Sequence, residues 1–297
     1  PSPLPTQTLT ATSTLTAVPP TATFLPTNTL VPVVTGTAGV EPTFIVTPSA
    51  TPSATATLSV TPVGGSGQIA YASDRTGLPQ IYLADLASQT AVQVTDMPEG
   101  ACQPSWSADG EKLVFTSPCK GMDEIYYDAG LYIINADGSN LTPLATVPGG
   151  DFDPTWSPDG NSIAFTSLRT GQMEIFTVSL DDPSSIAQIT KGASSVEARQ
   201  PAWSPDGTQI VYAVKRFGVY QIWLMNSDGT DQKQIVRSGV AFSDYLPTWS
   251  PDGKLILFNQ RCATTFCFPY LMSISAADRS AEQGTRLQLN VISVEDV

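Results

Sequence analysis

Between residues 200 and 237 the apolar positions fall into four short runs divided by turn-forming residues, and each run has the length of a β-strand. Residues 201–203 (PAW) form a short first strand. The chain then turns at Ser204-Pro205-Asp206-Gly207, where proline presets the second position, the aspartate side chain reaches nearby backbone donors and glycine accepts a positive φ. Residues 209–214 (QIVYAV) predict a second strand, Lys215-Arg216-Phe217-Gly218 a turn, and residues 220–225 a third strand. Ser227-Asp228-Gly229-Thr230 leads to a fourth at 232–236. Consecutive strands joined by tight turns pair antiparallel, so this stretch predicts one four-stranded sheet.

The same pattern returns along the chain. Trp106-Ser107-Ala108-Asp109-Gly110 is followed by WSPDG at 156–160, 203–207 and 249–253, with the tryptophans 50, 47 and 46 residues apart. A period of that length suits one four-stranded propeller blade per repeat. Residues 103–146, 153–190 and 246–290 align with the unit just described, whereas 68–95 carries only the later three strands and lacks the innermost one. Propellers often complete such a blade from the other end of the chain, and residues 291–297 (VISVEDV) are one source. Ser293-Val294-Glu295 also echoes Ser195-Val196-Glu197, just ahead of Pro201-Ala202-Trp203, so the chain is expected to stop where another tryptophan strand begins. The fold class expected is all-β, a propeller of four-stranded antiparallel blades with five units visible.

With Ser73-Asp74-Arg75-Thr76-Gly77 and Asn226-Ser227-Asp228-Gly229, the WSPDG turns resemble the WD-repeat-like propeller repeats of the TolB family over roughly residues 68–290. The resemblance implies six blades as the family norm, one more than the units visible here. It says little about the ligand. TolB is a periplasmic protein that binds other proteins, and related propellers stand in front of peptidase domains or on sensor ectodomains.

Residues 1–66 are a different material. Thr, Pro and Ser make up more than half of them, Lys and Arg are absent, and Glu41 is the one charge. Such a stretch buries too little apolar surface to offset its ordering entropy, so a disordered or extended stalk is expected there, with the propeller occupying 67–297. The chain has a net charge of −13, and 26 of its 27 carboxylates follow Ser66. Nucleic acid and anionic membrane surfaces select clustered Lys and Arg and are poor partners for it. No apolar run reaches the length of a membrane span, and a signal peptide or anchor is expected ahead of Pro1, because a spacer of this kind serves between a surface and a folded head.

The chain has no histidine, which removes Ser-His-Asp triads, Cys-His nucleophiles and His-based metal sites. There is no glycine-rich phosphate loop and no GxSxG elbow, and no catalytic residue, metal site or cofactor is expected. Trp106, Trp156, Trp203 and Trp249 could be an aromatic recognition series, but one per blade at a fixed strand position is what packing between blades requires. Asp109, Asp159, Asp206 and Asp252 could array cations, yet each lies in a turn where an Asp side chain satisfies backbone donors.

Propellers bind through loops and channel mouths, so departures from the repeat are where a site is expected. Two insertions stand out: residues 119–130 (CKGMDEIYYDAG) present Tyr126, and residues 261–269 (RCATTFCFP) present Phe266, while Tyr127 and Phe268 are expected to enter third strands as core. The connections into the tryptophan strands carry Glu99, Asp151, Asp153, Glu197 and Asp244. Gathered at one channel mouth they would make a negative ring attracting a basic peptide or hydrated cation; the plainer reading is that loops of an acidic protein carry acids. Cys102 and Cys119 flank one hairpin and Cys262 and Cys267 share one loop, so Cys102–Cys119 and Cys262–Cys267 are the expected disulfides. Together these features predict an exported, non-catalytic propeller, extracellular, cell-surface or periplasmic, binding a protein or peptide. The alternatives are the substrate-gating propeller of a prolyl-oligopeptidase-like enzyme and the ectodomain of a membrane sensor such as a receptor kinase.

Overall fold

The computed structural model describes residues 26–30, 46–50, 67–121, 125–145, 150–192, 196–263, 270–277 and 285–286. The chain divides into two units, residues 1–60 and 61–297. In the first, β1 (Pro26–Leu30) pairs antiparallel with β2 (Val46–Ala50) from Pro26↔Ala50 to Leu30↔Val46. The rest of the expected stalk lies outside the described residues, as do residues 291–297 and with them the question of which strand completes the first blade.

The second unit is five antiparallel sheets in chain order. The first has three strands, β3 (Gln68–Ser73), β4 (Gln80–Asp85) and β5 (Thr90–Gln93). Blade 2 is β6 (Cys102–Trp106), β7 (Lys112–Ser117), β8 (Gly130–Asn135) and β9 (Thr142–Ala145). Blade 3 is β10 (Asp151–Trp156), β11 (Ser162–Ser167), β12 (Glu174–Ser179) and β13 (Ile186–Gln188). Blade 4 is β14 (Glu197–Trp203), β15 (Gln209–Arg216), β16 (Val219–Asn226) and β17 (Lys233–Gln234). Blade 5 is β18 (Phe242–Trp249), β19 (Leu255–Cys262), β20 (Tyr270–Ser275) and β21 (Thr285–Arg286). Among the described residues every regular element is a strand, and no helix is long and apolar enough to cross a membrane.

The inner strands begin one to four residues further back than the sequence pattern suggests. Each carries a bulge, at Gln103, Asp153, Gln200 and Leu246, where φ is 53°, 53°, 57° and 51°. A proline follows each bulge. Proline after a positive-φ residue reads as a strand boundary, but an extra bulged residue lets pairing resume beyond it.

The second strand of each blade alternates its apolar side chains between two seams. In β11, Ile163 and Phe165 pack with Val114 and Leu131 of blade 2, and Ala164 packs with Ala198 and Tyr212 of blade 4. Each repeat tryptophan sits in one seam: Trp106 between blades 1 and 2, Trp156 between 2 and 3, Trp203 between 3 and 4, and Trp249 between 4 and 5. The first strand of a blade therefore seals it against the one before, and the strands hold the shape while the turns remain free for function.

Candidate functional site

Strand direction sorts the turns onto two mouths. Hairpins between second and third strands bond to the segments leading into the next inner strand, as in Ala101 N–H to Pro79 O (2.7 Å), Asp151 N–H to Ala129 O (2.8 Å) and Ala198 N–H to Met173 O (2.9 Å). The WSPDG turns meet the turns between third and fourth strands at the other end, as in Ser227 N–H to Thr208 O (2.9 Å). We call the first the hairpin mouth and the second the motif mouth.

The carboxylates expected to form an open negative ring belong to the hairpin mouth and the inner strands, and each has its own local partners. Glu99 is exposed and pairs with Lys120 at 3.3 Å, and Glu197 pairs with Lys215 at 3.3 Å and accepts the Tyr220 hydroxyl. Asp151 is buried, accepting both contacts from Arg169 Nη2 at 3.0 and 2.9 Å. Burial pushes its carboxyl upward, opposed by Ser167 and by the Arg169 charge. Asp244 takes the same place in blade 5, with Gln260 Nε2 at 2.8 Å and no partner for Oδ2 among the described residues; burial raises it as well. Buried charge is tolerated where counter-charges and donors replace water, and four of these five carboxylates meet a Lys or Arg while Asp244 meets the neutral Gln260.

Asp153 is the centre of that arrangement. Its carboxylate receives Gln103 Nε2 of blade 2 (2.6 Å), Thr166 Oγ1 of its own blade (3.2 Å) and Arg199 Nε of blade 4 (3.3 Å). Burial pushes the carboxyl up against the pull of the Arg199 charge. Arg199 is itself buried between the rings of Phe152 and Tyr220, each with its centroid 5.8 Å away. The bulge residues also lace blade to blade: Asp153 N–H donates to Gln103 Oε1 (2.9 Å), Gln200 N–H to Thr166 Oγ1 (3.1 Å) and Leu246 N–H to Gln200 Oε1 (2.8 Å). The four bulges and the prolines after them line one cavity of about 330 Å3, the channel between the inner strands.

The aromatic insertions are placed differently from expectation. Tyr126 is 7% exposed, packed edge-on to Phe152 with its hydroxyl bonded to Gly121 O, while Tyr127 is 69% exposed. The two residues exchange the roles expected of them, because Ala129, immediately before β8, is where the chain becomes buried again and Tyr126 fills the pocket beside Cys102 and Cys119. Phe266, with Phe268 and Met122, lies outside the described residues. Phe217 is expected from the sequence only as part of a turn. It is 92% exposed at the tip of the β15–β16 hairpin, with φ 53°, followed by Gly218 at 85°. Arg216↔Val219 closes a two-residue loop, and positive φ at both central positions marks a type I′ turn, which normally selects Asn, Asp or Gly. The detectable signal was a phenylalanine where that turn chemistry disfavours it.

The motif residues are structural in their contacts. Ser204 Oγ donates to Asp206 Oδ1 (2.6 Å), Thr208 N–H donates to the same oxygen (3.0 Å), and Gln209 N–H donates to Ser204 Oγ (2.9 Å). The serine hydroxyl and backbone N–H hold Asp206 below the ordinary carboxylate range, and Asp109, Asp159 and Asp252 are lowered in the same way. Cys102 and Cys119 are disulfide-bonded with Cα atoms 5.9 Å apart. Cys262 is also disulfide-bonded; Cys267, its expected partner, lies outside the described residues. Among the described residues no group of three or more acidic, Cys or His side chains could hold a metal ion.

Five antiparallel sheets stacked through tryptophan seams, with inner strands around a channel, define a β-propeller. A family model, the TolB beta propeller domain, matches residues 39–291, and the chain belongs to that family. It is similar in structure to TolB from Acinetobacter baumannii, at 22% identity and TM-score 0.60 over 75% of this chain and 53% of that one. The chain thus spans about half the length of that protein. A TolB-type protein from Agrobacterium tumefaciens is 22% identical with TM-score 0.58, over 70% of this chain and 73% of its own. A Mycobacterium tuberculosis puromycin-hydrolyzing peptidase is 12% identical with TM-score 0.53, over 79% of this chain and 37% of its own. At these identities the likeness concerns the fold alone. No curated protein matches the chain by sequence.

Proposed function

We propose that the chain is the exported, non-catalytic propeller head of a binding protein and takes a protein or peptide partner on its hairpin mouth. Phe217 carries the reading. A bulky side chain nearly free of contacts, held in a left-handed turn that favours Asn or Gly, is costly to stability and useful only when something covers it. Tyr127 and Leu78, exposed on the corresponding hairpins of blades 2 and 1, extend the same apolar, aromatic character around that mouth. The lack of histidine supports a binding role over hydrolysis, the disulfide at Cys102–Cys119 supports export, and the charge of −13 favours a basic partner. The test is photo-crosslinking in the producing cells from position 217, with exposed Val92 on β5 as the control. A discrete adduct from 217, absent from 92 and weakened by salt, is expected. Identical adducts from both positions would refute the hairpin mouth as the binding face.

A further inference from the structure

Blades 3 and 4 enclose a cavity of about 130 Å3, with Glu174, Thr190 and Gly192 of the one facing Tyr212, Arg216 and Trp223 of the other. Glu174 heads β12 and is 1% exposed. Its Oε2 accepts the Thr190 hydroxyl (2.5 Å), and its Oε1 accepts Gly192 N–H (2.6 Å) and Gln172 Nε2 (2.9 Å). Blade 1 makes the corresponding bonds with a neutral residue: Gln80, heading β4, accepts the Thr95 hydroxyl (2.8 Å) and Met97 N–H (3.0 Å) through Oε1. The local structure thus needs an acceptor there but no charge. A buried carboxylate costs more than a buried amide unless a positive group answers it, and three donors leave Glu174 Oε2 able to accept one more bond.

The facing wall carries donors in want of an acceptor. Trp223, the one tryptophan outside the repeat motif, has a buried indole N–H with no partner among the described residues. The Arg216 guanidinium lies over the Trp223 ring at 4.9 Å and meets no carboxylate among the described residues. Tyr212 stands between the two charges: burial pushes its hydroxyl upward, the Glu174 charge pushes it further and the Arg216 charge opposes the rise. We propose that this cavity is a binding site for a small α-amino acid, its ammonium received by Glu174 and its carboxylate by Trp223 Nε1–H and Arg216. An anion alone would leave Glu174 uncompensated, and a cation alone would leave the indole N–H and the guanidinium unanswered. A zwitterion satisfies both through charge-assisted bonds. The cavity holds roughly four water volumes at ~30 Å3 each, which suits a molecule of alanine's size, and Val196, Ala198 and Val214 offer its methyl group an apolar wall. This site is separate from Phe217 and does not depend on the hairpin-mouth reading.

The experiment is calorimetric titration of the full chain with L-alanine, and with propionate and ethylammonium, which are alanine without its ammonium and without its carboxylate. Alanine is expected to bind, and each truncated ligand to bind about tenfold more weakly or worse. Glu174→Gln keeps the acceptor that Gln80 supplies in blade 1, so it should leave the melting temperature unchanged while weakening alanine about tenfold and sparing propionate. Trp223→Phe keeps the ring under Arg216 and should weaken alanine and propionate alike. No binding of alanine at millimolar concentration, propionate binding as tightly as alanine, or alanine binding indifferent to Glu174→Gln would overturn the proposal. None of these results bears on the crosslinking from position 217.

Discussion

Replacing Arg199 by Met tests whether the inner strands are held by charge or by packing. The guanidinium side chain is 2% exposed and its partner, the Asp153 carboxylate, 7%. Removing one member of such a pair leaves an uncompensated buried charge, a loss of about 3–5 kcal/mol where both partners are desolvated. Domains of this kind hold only about 5–15 kcal/mol in total, so Arg199→Met is expected to shift the urea midpoint strongly. The double variant Asp153→Asn/Arg199→Met removes both charges while Asn keeps an acceptor for Gln103, and should recover all but about 1–2 kcal/mol. The sign with pH follows from the raised carboxyl of Asp153. A group whose pKa is higher when folded contributes stability below its unfolded value and loses it as pH rises through the folded one. Without the Arg199 charge that rise is larger, so the deficit of the single variant should be smallest near pH 4 and greatest at neutral pH. Urea unfolding followed by tryptophan fluorescence at three pH values reads this directly. A deficit independent of pH would show that Arg199 acts through its stacking between Phe152 and Tyr220, and one below about 1 kcal/mol would refute the buried-charge argument altogether.

Asp244→Asn is expected to stabilise at neutral pH by on the order of 1 kcal/mol, since it removes a buried carboxylate that among the described residues meets no cation. The gain should vanish on acidification towards the ordinary carboxylate range, and a destabilised variant at pH 7 would contradict it. Cys102→Ser/Cys119→Ser opens a loop spanning 17 positions and should cost about 3 kcal/mol, read as a lower melting temperature and compared with the reduced parent. Phe217→Asn should stabilise by about 1 kcal/mol, because Asn tolerates the left-handed turn, while abolishing partner capture; retained capture would release Phe217 from its role. Gln200→Ala leaves Leu246 N–H to water and should weaken the blade 4–5 seam by about 0.5–1 kcal/mol, seen as faster amide exchange in β18.

The repeat period, the strand alternation and the turn chemistry are local, and they were enough to specify the propeller, its blade boundaries and the structural duty of the tryptophans and motif aspartates. Each follows from a few adjacent residues: a tryptophan at the end of a short strand, then serine, proline, aspartate and glycine at positions where only their conformations fit. The inner strands were read too short because a proline after Gln103, Asp153, Gln200 or Leu246 looks like a stop, and only pairing with the next strand reveals that the ladder resumes past the bulge. Charge was the other matter sequence could count but not place. Gln103, Asp153 and Arg199 are separated by 50 and 46 positions in turn, and their meeting depends on how three blades pack around the channel. Exposure was decided in the same way: adjacent Tyr126 and Tyr127 differ little as sequence, and one is core while the other faces water because the path of the hairpin turns a single side chain inward. Periodicity fixes which residues can share a face, whereas the burial of a charge or a ring depends on neighbours that only the packing of blade on blade brings near.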